Sequence, residues 1–109
     1  MDVKEYEDKL RESYGFIASM SVTEDDYDYF LKRNGIPYKT RTIENVYCGE
    51  TFASPTEIEY EKEGQPRFAY QFQFGSIDSY VSDILVFDRK IPDKEIVEIF
   101  LMWNDANLE

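Results

Sequence analysis

The hydrophobic and polar positions of the chain change period twice. Over residues 2–13 the apolar positions Val3, Tyr6 and Leu10 fall on one stripe with charges around the rest, which predicts an amphipathic helix. Asp2 is its expected N-cap, with Glu5 three residues on in the capping-box position, and Gly15 its expected end. Phe16–Met20 is read as an apolar connector. A second helix follows. Thr23 is its expected N-cap, Glu24, Asp25 and Asp26 fill its first turn, and Lys32 and Arg33 fill its last, as the helix dipole favours. Tyr27, Phe30 and Leu31 give it an apolar face. Asn34-Gly35 predicts a left-handed stop, clasped by Ile36, with Pro37 beyond.

From residue 38 the period falls to two. Tyr38–Cys48 is rich in β-formers, with an interruption near Glu44-Asn45, and Gly49–Ser54 reads as a loop. Glu57–Lys62 alternates, with Ile58 and Tyr60 on one face and Glu57, Glu59 and Glu61 on the other. Glu63–Pro66 is a turn, and Arg67–Phe74 alternates again with Phe68, Tyr70, Phe72 and Phe74 in a row, so the two runs predict a hairpin. Residues 76–88 fit either a helix stripe or a strand, and the Ile-Leu-Val-Phe run favours a strand. Asp93 is the expected cap of a last helix over about 94–104, with Ile96, Val97, Phe100, Leu101 and Trp103 on its apolar stripe.

These elements predict a single α+β domain over residues 1–109. It is an antiparallel β-meander of about four strands, with two N-terminal helices and one C-terminal helix packed on one face, over the aromatic row of Arg67–Phe74. No repeat, low-complexity tract or linker divides it.

Charge changes the picture most. The chain has 23 acids and 12 bases, a net charge of −11, yet 42% hydrophobic residues, so it has the means to fold. Direct binding to nucleic acid or to an anionic membrane surface is disfavoured, because both run on Lys and Arg. There is no histidine and a single cysteine, Cys48. Catalytic His pairs, His-ligated metals, an internal disulfide and a Cys-cluster metal site are therefore excluded within one chain. Cys48 has Tyr47 and Glu50 nearby and nothing to activate a thiol, so it reads as a small hydrophobe. The acids Glu24, Asp25, Asp26 and Asp28 lack the spacing of a calcium loop, no Gly-rich phosphate loop appears, and no cofactor is implied. With no membrane-length apolar run and no signal-peptide core, the chain reads as cytoplasmic.

The charge is uneven: −6 over residues 1–30, +3 over 31–45, −4 over 46–66, zero over 67–90 and −4 over 91–109. Glu57, Glu59 and Glu61 recur every about 6.7 Å along a strand. That matches two steps of about 3.4 Å along one nucleic-acid strand. Such a row, extended by Asp25, Asp26 and Asp28, is expected to present itself to a basic groove as phosphates do. Alternating Glu on a solvated strand face is also what any one-sided sheet shows. Nine tyrosines exceed what one small core needs. Tyr27 and Tyr29, two apart on a helix, point to different sides, and together with Tyr60 they are candidate interface anchors.

The physical profile resembles that of small acidic inhibitors: phage proteins of the anti-restriction and anti-CRISPR kind that mimic DNA, and immunity proteins that neutralise nuclease toxins. The resemblance is one of size and charge and is carried by no motif. It implies a non-enzymatic inhibitor that docks on the basic groove of a nucleic-acid-binding protein or nuclease, and it is compatible with a homodimer. The alternatives are a self-associating structural or adaptor domain using the aromatic sheet, and an enzyme built on carboxylates with a divalent metal.

Overall fold

The computed structural model describes residues 2–23, 27–43, 55–76 and 79–107. The elements run α1 (Val3–Tyr14), β1 (Phe16–Thr23), α2 (Tyr27–Arg33), β2 (Tyr38–Thr42), β3 (Thr56–Lys62), β4 (Gln65–Ser76), β5 (Ser79–Phe87) and α3 (Asp93–Asn107). The class is α+β. The sheet is antiparallel throughout, with five strands in the order β1-β5-β4-β3-β2.

The meander of β2 to β5 is as expected, and residues 79–87 are strand. The strand count is corrected from four to five, because the apolar connector is itself the edge strand β1. From Ala18 its residues alternate, with Ala18 and Met20 opposite Val86 and Ile84, and Ser19 and Ser21 opposite Leu85 and Asp83. An irregularity between Phe16 and Ala18 hides the alternation at its start.

The placement of the helices is also corrected. They cover both faces of the sheet. Tyr70, Phe72, Leu85 and Phe87 pack with α1 and α3 around Tyr6, Leu10, Phe100 and Trp103. Ile58, Tyr60, Ala69, Ile84 and Val86 pack on the other face with Tyr27 and Leu31 of α2. Both faces of the central strands are apolar, so both need a helix layer. Phe68, Tyr70 and Phe72 of the aromatic row do lie beneath helices: they pack into the α1/α3 core, where Phe72 meets Phe100 at 3.6 Å between ring centroids and Tyr70 meets Phe87 edge-on at 5.8 Å.

Local signals set the ends. Asp2 Oδ1 accepts the Glu5 N–H at 2.8 Å, and Gly15 ends α1 with φ +72°. At the end of α2 the Ile36 N–H reaches Leu31 O at 2.9 Å and the Gly35 N–H reaches Lys32 O at 3.1 Å, the double closure that Asn34-Gly35 predicted. The hairpin turn is only Glu63-Gly64, both at positive φ, while Gln65 and Pro66 belong to β4. Asp93 is the first residue of α3 rather than its cap, and Leu101 lies outside the apolar stripe, 41% exposed, where Ile99 is buried instead. The expected cap contacts of Thr23 and the features at Glu24–Asp26, Glu44-Asn45 and Cys48–Ser54 lie outside what is described. No helix among the described residues is long and apolar enough to cross a membrane.

Candidate functional site

The row on β3 is not a free polyanion. Alternation puts Glu57, Glu59 and Glu61 on one side of the strand, as expected, but that side faces the α1/α3 layer. Glu57 is only 6% exposed. Its carboxylate accepts from Arg41 Nε at 3.3 Å and Nη2 at 3.2 Å and from the Tyr70 hydroxyl at 2.8 Å, with Lys90 Nζ 4.0 Å away. Arg41 continues to Asp93, at 2.7 and 3.1 Å, and Tyr70 Oη accepts the Ile91 N–H at 2.9 Å. Burial raises the Tyr70 hydroxyl pKa; the neighbouring Ile91 backbone opposes the rise and Glu57 adds to it. The hydrogen bonds to Asp93 and Glu57 raise Arg41, and the bond to Arg41 lowers Asp93. Glu57 is thus a clasp tying β2, β3 and β4 to the start of α3. Glu59 and Glu61 are exposed, but Lys39 stands across the ladder from Glu59. With Pro37, Tyr38 and Pro66 these three line a shallow hollow of about 510 Å³.

Two of the three tyrosine anchors are also corrected. Tyr27 and Tyr60 are 4% and 8% exposed, and their hydroxyls bond to each other at 2.9 Å beneath α2. Burial, then the bond to Tyr60, raises the Tyr27 pKa. Gln71 Oε1 accepts the Tyr27 N–H at 3.0 Å. These residues are core. Asp28 is half-buried and accepts the N–H of Tyr29 at 2.9 Å. Tyr29 is 52% exposed, on the side opposite Tyr27 as the helical spacing requires. The Arg33 guanidinium lies 5.6 Å from its ring and 6.0 Å from that of Phe30. Asp25 and Asp26 lie outside the described residues. The sheet therefore separates Glu59 and Glu61 from Asp28 and Tyr29, and the expected residues do not form one surface.

Among the described residues the acid surplus lies elsewhere. All twelve bases but only sixteen of the 23 acids are in the described residues, a net −4. Helix α1 with its cap Asp2 holds five acids against three bases, and α3 four against one. This helix layer alone is −5, and the rest of the described body is close to neutral. The two helices run side by side in opposite directions: the Tyr6 hydroxyl donates to Ile99 O at 3.0 Å, and the Tyr14 hydroxyl to Glu95 Oε1 at 3.5 Å. Burial, then the neighbouring Tyr14, pushes the Tyr6 pKa up to about 12. Between them runs a groove of about 140 Å³, bordered by Lys9, Glu95, Glu98 and Met102. On its α3 side Met102 is 51% exposed, and Leu101, the residue before it on α3, is 41% exposed outside the groove.

An acidic surface with exposed aliphatic side chains suits docking to a basic protein surface with an apolar centre. Reasoning from the sequence missed it because acids in a first helical turn and Leu101 on a helix stripe each have a local explanation. The segment charges at the two chain ends, −6 and −4, were the available signal. Among the described residues no cluster of His, Cys, Asp and Glu is placed to hold a metal. Comparisons with known protein families, with curated proteins and with solved structures give no match.

Proposed function

We propose that the chain is a non-enzymatic, stoichiometric binding protein that docks the acidic α1/α3 layer onto the basic groove of a nucleic-acid-processing protein and so blocks its substrate. The observation that carries this reading is the gathering of the described acid surplus on one helix layer, beside the exposed Leu101 and Met102. The acids would steer the encounter and the aliphatic side chains would slow dissociation. Glu59 and Glu61 could contribute at the rim, whereas Glu57, Tyr27 and Tyr60 hold the fold.

The test is affinity capture from the native host at low and high salt, with each captured protein assayed for activity with and without the chain. The expected result is a basic nuclease or other nucleic-acid enzyme, captured only at low salt and inhibited at a one-to-one ratio. The triple variant Glu5→Lys, Glu98→Lys, Asp105→Lys should lose that inhibition while keeping its far-UV circular dichroism. Inhibition that survives the triple variant would refute the placement, and a captured enzyme that keeps full activity would refute the inhibitor reading.

A further inference from the structure

Two exposed helix surfaces lie on opposite sides of the sheet and are opposite in charge. On α3, Glu98, Leu101, Met102 and Asp105 recur at helical spacing and all are exposed, so an aliphatic pair sits between two carboxylates. No base pairs with Glu98 or Asp105 among the described residues. On α2, Tyr29 and Phe30 are exposed one turn before Lys32 and Arg33, which are exposed too. The Arg33 guanidinium reaches both rings, and no acid pairs with it or with Lys32 among the described residues.

The charge around α2 has the same sign. Lys62 follows Tyr60 in the alternation of β3, and Arg67 stands across the ladder from Tyr60, so both belong to the side that α2 covers. Against Lys32, Arg33, Lys62 and Arg67 stands Asp28, which leaves the described charges of α2 and the strand positions facing it at +3. Asp88, which Arg67 also influences, is held by Arg89 at 2.7 Å. The α1/α3 layer on the other side is −5.

We infer that α2 of one copy of this chain docks on α3 of the next. The two surfaces match in length: α2 has seven residues, and Glu98 and Asp105 are seven positions apart, about 10 Å in each case. Laid side by side, Tyr29 and Phe30 cover Leu101 and Met102, while Lys32 and Arg33 meet a flanking carboxylate. The surfaces differ and lie on opposite sides of the sheet, so each contact leaves one of each kind free. The contact is therefore heterologous, and copies add in a row instead of closing as a pair. It covers Leu101 and Met102, so it competes with the docking proposed above. It does not rest on that reading, because it is a property of the purified chain.

The test is sedimentation equilibrium at about 0.15 M salt, where the repulsion between chains of net charge −11 is screened beyond about 8 Å. A reductant keeps Cys48 from linking copies. So small a contact gives a Kd on the order of 0.1 mM, and the runs extend to about 1 mM chain. The weight-average mass should climb with concentration past twice the 12.9 kDa of the chain. Tyr29→Ala with Arg33→Ala removes one surface, and Glu98→Ala with Leu101→Ala removes the other. Each double variant should stay at the mass of one chain with native circular dichroism. Mixed one to one, the two should approach the mass of a pair and not pass it, because each supplies the surface the other lacks. Arg33→Gln alone should raise the Kd at least threefold, which tests the same contact with a milder change. A wild-type mass that stays at one chain, or that levels at two, overturns the inference. So does association by either double variant alone, or a mixture that stays at the mass of one chain. None of these results bears on capture and inhibition of a basic enzyme, which test the docking reading separately.

Discussion

Replacing Arg41 by Met keeps the aliphatic stem and removes the guanidinium that joins Glu57 to Asp93. Glu57, at 6% exposure, would keep only the Tyr70 hydroxyl at 2.8 Å and Lys90 at 4.0 Å. Breaking a buried pair from one side costs roughly 3–5 kcal/mol when both partners are buried. The Arg41 side chain is 41% exposed, so water takes over part of its role and the figure falls to about 2 kcal/mol. The Asp93 arm, 41% exposed at both ends, adds at most about 1 kcal/mol. For 109 residues the unfolding entropy is about 0.23 kcal/mol/K, so a loss of about 2 kcal/mol lowers Tm by about 9 °C. The assay is urea denaturation of the wild type, Arg41→Met, Glu57→Gln and the double variant, at constant m. Once Glu57 is uncharged, losing Arg41 should cost less than half as much, because no buried carboxylate is stranded. Equal costs in both backgrounds, or an Arg41→Met loss below about 0.5 kcal/mol, would refute the clasp.

Gly15→Ala should destabilise by about 2 kcal/mol and Gly35→Ala by about 1 kcal/mol. Both glycines have φ near +70°, but a Cβ at Gly15 would collide with the Asp88 carboxylate and one at Gly35 meets open space; equal urea midpoints would contradict this. At alkaline pH the buried tyrosines should drive unfolding. Burial raises Tyr6 to about 12, and Tyr27 and Tyr70 are raised for the same leading reason. Folding therefore favours the protonated forms, and their contribution is complete below about pH 10 and lost as pH climbs through the folded-state values. Absorbance at 295 nm should rise together with the loss of circular dichroism; buried tyrosines that ionise near pH 10 in a protein that stays folded would show the sign to be wrong. Tyr27→Phe should cost about 1–2 kcal/mol in urea, because it leaves the buried Tyr60 hydroxyl without its partner. A neutral result would mean that water reaches Tyr60.

Most of the fold was legible because most of its signals are local. The caps at Asp2 and Asn34-Gly35, the alternation of Thr56–Lys62 and the Phe68-to-Phe72 row each involve residues a few positions apart. β1 was not legible. Ala, Ser and Met are weak strand formers, and the irregularity after Phe16 breaks the period where the apolar run begins. What makes Phe16–Thr23 a strand is β5, more than sixty residues later, through Ser21 and Asp83 at 2.8 Å and the Trp103 Nε1–H to Asp83 at 3.0 Å. The side chosen by α2 was equally hidden. A seven-residue helix with one apolar face fits either side of a sheet. Only the demand of Ile58, Tyr60 and Ile84 for cover decides it.

The site shows the same division between local and distant causes more sharply. Alternation on β3 reveals which residues share a side, but not what stands over that side. Glu57 and Glu59 look alike in sequence, two positions apart among the same neighbours. They differ because Arg41, itself held by Asp93, and Tyr70 converge on the first and not on the second. A count of acids therefore overstates the charge available to a partner wherever distant bases reach them. It understates the charge of a surface assembled from the two ends of the chain. Helices α1 and α3 are each only modestly acidic, and they form one acidic layer because Tyr6 and Tyr14 hold them side by side. Net charge indicates that this protein has acid to spare. Among the described residues it is the pairing of α1 and α3 that gathers acid onto one side.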